Sequence, residues 1–277
     1  MTTSRQSEGQ GKVTAAPVID CHAHVYVRGL PLAPNATHDP TEDHVPQEYL
    51  SVLDRAGVTY GVLTAPSFLG TDNSYLLAAL RAHPRLRGTA IVAPECEDAT
   101  LQAMAREGVS GIRFSLNRYP DLPDLSSLSY RRLLDRIGAL GLYVHLFVES
   151  SRIERLLPAL LASGVRLVLD HFGTTAGSGE GNSGLRAAWK AIEGGNTWIK
   201  LSAPNRTGGA DVRRLAREYL AAAGTERMLW GSDWPWVGYQ GITYGETIAW
   251  FEDWIPDPEM RAAIGRTGLK LHGLADG

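Results

Sequence analysis

The chain is poor in cysteine, with only Cys21 and Cys96 among 277 residues. That excludes a disulfide framework and a cysteine-rich zinc site. No apolar run approaches the length of a bilayer span, so no membrane partner is expected. Neither sign of charge is in excess: 27 Lys and Arg stand against 30 Asp and Glu, a net charge of -3. Such a balance offers no basic stripe for nucleic acid. The first strand-like run is not followed by G-x-G-x-x-G, which removes the usual mark of a dinucleotide fold. Residues 1–16 are polar and rich in Gly, Ser and Thr. They lack the apolar core of a secretory signal and are expected to be a disordered tail on a cytoplasmic protein. What remains is an ordinary globular composition, 44% hydrophobic and 21% charged. A chain of this length buries roughly three quarters of its unfolded surface and needs no disulfide or metal to fold.

A supersecondary rhythm is present instead. Apolar, β-branched runs occur at 18–25, 60–65, 86–93, 111–116, 142–148, 166–172, 197–203 and 227–234. Helical stretches separate most of them, at 46–56, 74–83, 99–107, 130–140, 150–163, 185–192 and 211–222, with another at 243–254 after the last run. Gly57, Gly108, Gly141 and Gly164 close helices just before strands, where C-terminal glycines belong. Eight strand-helix units predict a single (β/α)8 TIM barrel spanning residues 17–277. Residues 28–44 form a long insertion after the first strand. The Gly-rich run 173–184 reads either as an active-site loop or as a tolerated surface loop.

In such a barrel the reacting groups sit at the C-terminal ends of the strands. Alternation along a strand puts Asp20, His22 and His24 on one face, with Cys21 and Ala23 opposite. The other ends offer Ser67, Arg113, Asn117, Arg118, His145, Asp170, His171, Ser202, Arg206 and Asp233. Four of the eight histidines therefore converge on one mouth. His38, His44, His83 and His272 do not, and are read as loop or surface residues. Clustered titratable groups of this kind point to chemistry. Hydrolysis of an ester or lactone needs a water, a base for its proton and a polariser for the carbonyl. Asp233 is the base candidate. His22, His24 and His171 either donate hydrogen bonds to the carbonyl or help hold a divalent metal that polarises it. A metal set of His22, His24, His145 and Asp233 would suit zinc or manganese. A metal-free site, with His145 hydrogen-bonding substrate, is the other reading. Arg113 interrupts an apolar strand, and a buried guanidinium requires an anionic partner. Trp234, Trp236 and Tyr239 offer a pocket wall, whereas Trp189, Trp198, Trp250 and Trp254 read as packing residues.

The phrases Asp20-Cys-His-Ala-His-Val25, Leu169-Asp-His-Phe-Gly173 and Trp230-Gly-Ser-Asp-Trp-Pro235, with His145 on the fifth strand, resemble the amidohydrolase superfamily and within it the lactonase branch that opens 2-pyrone-4,6-dicarboxylate and sulfomuconolactones. The resemblance spans nearly everything after residue 17. It implies a hydrolase for a small anionic lactone, with Asp233, His171, His22 and His24 catalytic. It further implies that Arg113, Arg118, Arg206 and Ser67 bind substrate; His145 and Trp234 are added as substrate-binding candidates on the residues alone. Relatives differ on whether a metal takes part. Trp236 stands where the pyrone branch tends to carry a histidine or small polar residue, which separates this chain from the pattern for the exact substrate. A metal-dependent decarboxylase or hydratase would use the same residues, and a noncatalytic binding barrel is the reading from another class. The sequence assigns no oligomeric state.

Overall fold

The computed structural model describes residues 17–117, 119–173 and 183–275. Eight parallel strands follow one another in sequence order: β1 (Ile19–Ala23), β2 (Tyr60–Thr64), β3 (Leu86–Ala90), β4 (Val109–Ser115), β5 (Tyr143–Phe147), β6 (Arg166–Leu169), β7 (Thr197–Leu201) and β8 (Met228–Trp230). The ring is closed just beyond β8. There His24 N–H donates to the Trp234 carbonyl at 2.7 Å and Asp233 N–H donates to the His22 carbonyl at 2.8 Å. The helices are α1 (Pro46–Ala56), α2 (Ser74–Ala82), α3 (Asp98–Arg106), α4 (Leu128–Ala139), α5 (Ser150–Ile153), α6 (Leu157–Ala162), α7 (Ser183–Glu193), α8 (Val212–Ala223), α9 (Tyr244–Trp254) and α10 (Pro258–Leu271). The (β/α)8 barrel expected from the sequence is therefore the observed fold. Gly57 and Gly108 carry φ of 72° and 100°, the left-handed geometry that ends a helix before a strand.

Three local expectations are corrected. The stretch 150–163 is two helices rather than one, because Pro158 in the first turn of α6 has no N–H to continue the ladder. A final helix, α10, was not anticipated; it packs against β1 and β8 beneath the barrel. Most consequential is β1. Its pairing with β2 shifts between Asp20 and Ala23, so three residue steps on β1 match two on β2. This β-bulge breaks the alternation. Cys21 joins Ile19, Val62, Tyr143, Val168 and Leu229 inside the barrel, and His22 also faces inward. Asp20 faces outward to the helical layer and does not share a face with His22 and His24.

The barrel interior is thus graded. Its lower layer is apolar and sits on Leu269 and Leu271 of α10. Above it lies a buried polar layer of His22, His145, Asp170 and Lys200, each no more than 3% exposed. The larger apolar core lies between strands and helices. The tail at 1–16, most of the Gly-rich run at 173–184, and Arg118 lie outside the described residues.

Candidate active site

Asp20 builds the frame of the site from outside the barrel. Its Oδ1 accepts the backbone N–H groups of His22 at 3.1 Å and Ser232 at 2.9 Å. Its Oδ2 accepts the hydroxyls of Ser232 at 2.6 Å and Tyr244 at 3.1 Å. One carboxylate therefore ties β1 to the segment that presents Asp233. Gly231 makes the approach possible, since a Cβ there would lie 2.6 Å from His22 Cβ. Backbone at the strand ends is held in unusual conformations: His171, Phe172, Ala203 and Asp233 have φ between 44° and 61°. Such geometry clusters where side chains must be aimed at a common point.

Asp233 is fully buried. Its Oδ2 accepts from Arg206 Nε at 2.7 Å, while Oδ1 has no hydrogen-bond partner. His22 Nε2 and His24 Nε2 each stand 3.6 Å from that free oxygen and 3.2 Å from each other. Burial pushes the Asp233 carboxyl up, but the Arg206 guanidinium and the neighbouring His24, His171 and His22 more than offset it and hold it well below the usual range. His24 Nδ1 donates to the Thr64 carbonyl at 2.7 Å, so its Nε2 presents a lone pair. His171 stands 2.8 Å from the Ser202 hydroxyl through Nδ1. Burial lowers all four mouth histidines, His171 to about 4 and His145 to about 3. They are neutral at pH 7.

Behind His22 sits a second carboxylate, Asp170. Its oxygens lie 2.9 Å from His145 Nε2, 3.0 Å from His22 Nδ1, and 3.5 Å from each of Arg113, His171 and Lys200. Burial would raise Asp170; His145, His171, His22 and Lys200 together hold it far below the ordinary value. Lys200 is 1% exposed and is lowered by burial, with Asp170 opposing. Its Nζ lies 3.2 Å from His22 Nδ1 and 3.1 Å from His145 Nε2.

A cavity of about 80 Å³ opens over this floor, lined by His24, His171, Asp233, Arg113, Arg206 and Ser67, with Asn117, His38 and Phe147 beside them. It adjoins a second lobe of about 100 Å³ that shares Ser67, Arg113 and Asn117. Arg113 donates to the Ala65 carbonyl at 2.9 Å and lies over the Phe147 ring. With the histidines neutral, Asp233 faces Arg113 and Arg206, so the described lining of the cavity carries one net positive charge.

Most residues expected at the mouth are there, in two tiers. His24, His171, Asp233, Arg113, Arg206 and Ser67 line the cavity, whereas His22 and His145 lie beneath it. Trp234 departs from expectation: it stacks on Tyr49 of α1 at 5.3 Å in the helical layer and does not line the cavity, because the turn at Ser232–Asp233 points it outward. His38, read as a loop residue, lines the cavity. His272, read the same way, is 3% exposed under the barrel against Ser110. Two residues given no role from the sequence, Lys200 and Asp170, are the hub of the buried layer. Lys200 is a lone cation in an otherwise apolar strand, two residues before Ser202, which is the signal that had singled out Arg113.

The Amidohydrolase family profile matches residues 19–267. The chain belongs to the amidohydrolase family. It is 27% identical over 258 residues to 4-sulfomuconolactone hydrolase of Hydrogenophaga intermedia, covering 88% of this chain and 84% of that one. It is 29% identical over 248 residues to the 2-pyrone-4,6-dicarboxylate hydrolase of Comamonas testosteroni, covering 83% and 80%. A Pseudomonas putida crystal structure put forward as a 2-pyrone-4,6-dicarboxylic acid hydrolase superposes with a TM-score of 0.85 at 38% identity, over 94% of this chain and 98% of that one. No helix among the described residues is long and apolar enough to cross a membrane.

The donor set of the described residues offers two places where ligand atoms for a divalent metal converge. Among the described residues, His22, His24 and Asp233 form one group of converging ligand atoms, and His22, Asp170 and His171 form another. The first fits a cation: two imidazole nitrogens and an unpartnered carboxylate oxygen meet in a buried place. His145 belongs to neither group, since its Nε2 is taken up by Asp170 and Lys200 on the far side of His22.

Proposed function

We propose that this amidohydrolase opens a small anionic lactone by hydrolysis, with Asp233 as base and then acid. The observation that carries the reading is the unpartnered Oδ1 of a buried, ionised Asp233 on the floor of a cavity walled by two arginines. A water there gives its proton to Oδ1 as its oxygen adds to the lactone carbonyl. The oxyanion that forms is stabilised by the fixed positive field of Arg113 and Arg206. On collapse the ring C–O bond breaks, and Asp233 returns the proton to the departing ring oxygen. Two carboxylates, or a carboxylate and a sulfonate, meet the net positive charge of the mouth, Arg113 and Arg206 taking anionic oxygens and Ser67 adding a hydroxyl. Arg118 is proposed as a further clamp. A substrate anion near Arg206 also draws that cation from Asp233, raising the basicity of Oδ1 at the moment of proton transfer.

Zinc or manganese, where one is held, would be held by His22, His24 and Asp233, and would polarise the carbonyl and lower the pKa of water. The names of the relatives support the lactone reading over decarboxylation. The test is ring opening of 2-pyrone-4,6-dicarboxylate and of 4-sulfomuconolactone, followed by ultraviolet absorbance with protein purified in chelator. Ring opening of either supports the reading. Activity restored only by zinc or manganese assigns the cation a part. Neither substrate opening under either condition overturns it.

A further inference from the structure

We infer that Lys200 is a positioning residue that fixes the tautomer of His22, makes it a hydrogen-bond donor to His24 in the metal-free site, and so weakens the cation site that His22, His24 and Asp233 would form. The inference deepens the proposed function and rests on its choice of Asp233 as the base, since His22 Nε2 and His24 Nε2 each stand 3.6 Å from that carboxylate. The Thr64 carbonyl can only accept, so His24 carries its proton on Nδ1 and offers a lone pair at Nε2. His22 Nε2 is 3.2 Å away. Two lone pairs at that distance repel, so the His22 nitrogen must carry the proton and donate it. Its Nδ1 then bears a lone pair, and a donor has to meet it inside the barrel.

Two groups compete for that Nδ1. Lys200 Nζ lies 3.2 Å away in hydrogen-bonding geometry, and sends a second donor to His145 Nε2 at 3.1 Å. Asp170 Oδ1 lies 3.0 Å away and by the same rule favours a proton on Nδ1, but it is poorly directed: neither Asp170 oxygen accepts a hydrogen bond among the described residues, and the Lys200 ammonium 3.5 Å from that oxygen offsets its charge. Asp170 instead holds the ammonium by charge at 3.5 Å. Lys200 therefore selects the Nε2–H form. Without it, the Nδ1–H form turned to Asp170 takes over. His22 and His24 would then both aim lone pairs beside the free Asp233 oxygen, which is a three-donor cation site. Lys200 does not line the cavity and touches no reacting atom, which is why its role is positioning.

The test is nitrogen-15 NMR of histidine-labelled, metal-stripped protein, with His22 assigned by its loss in His22→Asn. The expected spectrum has His22 protonated at Nε2. A His22 protonated at Nδ1 in the wild-type protein overturns the inference, and does so whether or not any Lys200 variant folds. In Lys200→Met the expected result is a switch to the Nδ1 tautomer. Zinc affinity by equilibrium dialysis should rise with it by about tenfold or more, the scale on which partners of a ligand tune a site. Lys200→Gln, which keeps an N–H donor, should restore the Nε2 tautomer in part. Unchanged tautomer and zinc affinity in Lys200→Met would also overturn the proposal. None of these readouts depends on the substrate, so failure of the lactone assays leaves them intact, and their failure leaves the lactone assays intact.

Discussion

Acidification from pH 7 to pH 5 should destabilise this protein steeply, because its mouth histidines are buried neutral. His171 is lowered by burial to about 4 and His145 to about 3, against an ordinary value near 6.5. The unfolded chain therefore takes up protons below about pH 6.5 that the folded chain refuses, and stability rises with pH across this window. Each of the two groups costs about 2 kcal/mol between pH 7 and pH 5, so the pair costs about 4 kcal/mol. His22 and His24, lowered for the same reason, add in the same direction. The depressed carboxyls of Asp170 and Asp233 act the same way only lower, where an unfolded carboxylate begins to protonate near pH 4. The assay is urea unfolding by tryptophan fluorescence at half-unit steps of pH, with the slope of the curve checked for constancy. His145→Gln should remove about 2 kcal/mol of the drop. A stability that is flat between pH 7 and pH 5 would refute the claim that these rings are held neutral.

Further outcomes follow from the same geometry. Replacing Arg206 with Met removes the partner of Asp233 Oδ2, so the acidic limb of the kcat/KM profile should move to higher pH; an unmoved limb would separate Arg206 from the base. Gly231→Ala places a Cβ against His22, and should cost about 1–3 kcal/mol by overpacking while lowering kcat more than it changes KM. Asp20→Ala strips four hydrogen bonds from the frame of β1 and the Asp233 segment, and should cost about 3 kcal/mol or more, read by denaturant titration. Trp234→Phe should lower stability while leaving KM nearly unchanged, because that ring packs on Tyr49; a large rise in KM would place it in the substrate cavity after all.

The barrel was legible because its periodicity repeats eight times, and a signal carried by so many elements survives errors at single boundaries. The mouth was legible for a related reason: strand ends in this fold converge whatever the loops do, so Arg113, His171 and Asp233 could be placed from their positions at the ends of apolar runs. The alternation read into β1 failed. A bulge is a property of pairing with β2 and has no signature within the residues 19–23, so Asp20 was put on the wrong face. Trp234 failed for a similar reason, since the left-handed conformation of Asp233 redirects the residue after it. Lys200 was overlooked although the rule applied to Arg113, a lone cation in an apolar strand, fits it equally well. Its importance depends on His22, His145 and Asp170 meeting it from three other strands, and only the closed barrel brings them together.

The central claim is that Asp233 activates a water that opens a lactone ring. The most direct measurement is ring opening of 2-pyrone-4,6-dicarboxylate in oxygen-18 water by the wild-type protein and by Asp233→Asn, with the product weighed by mass spectrometry. The account predicts one labelled oxygen in the new carboxylate and a rate reduced at least about a hundredfold in Asp233→Asn, on the scale of general acid-base catalysis. Ring opening without the label, or an Asp233→Asn protein as fast as the wild type, would contradict it.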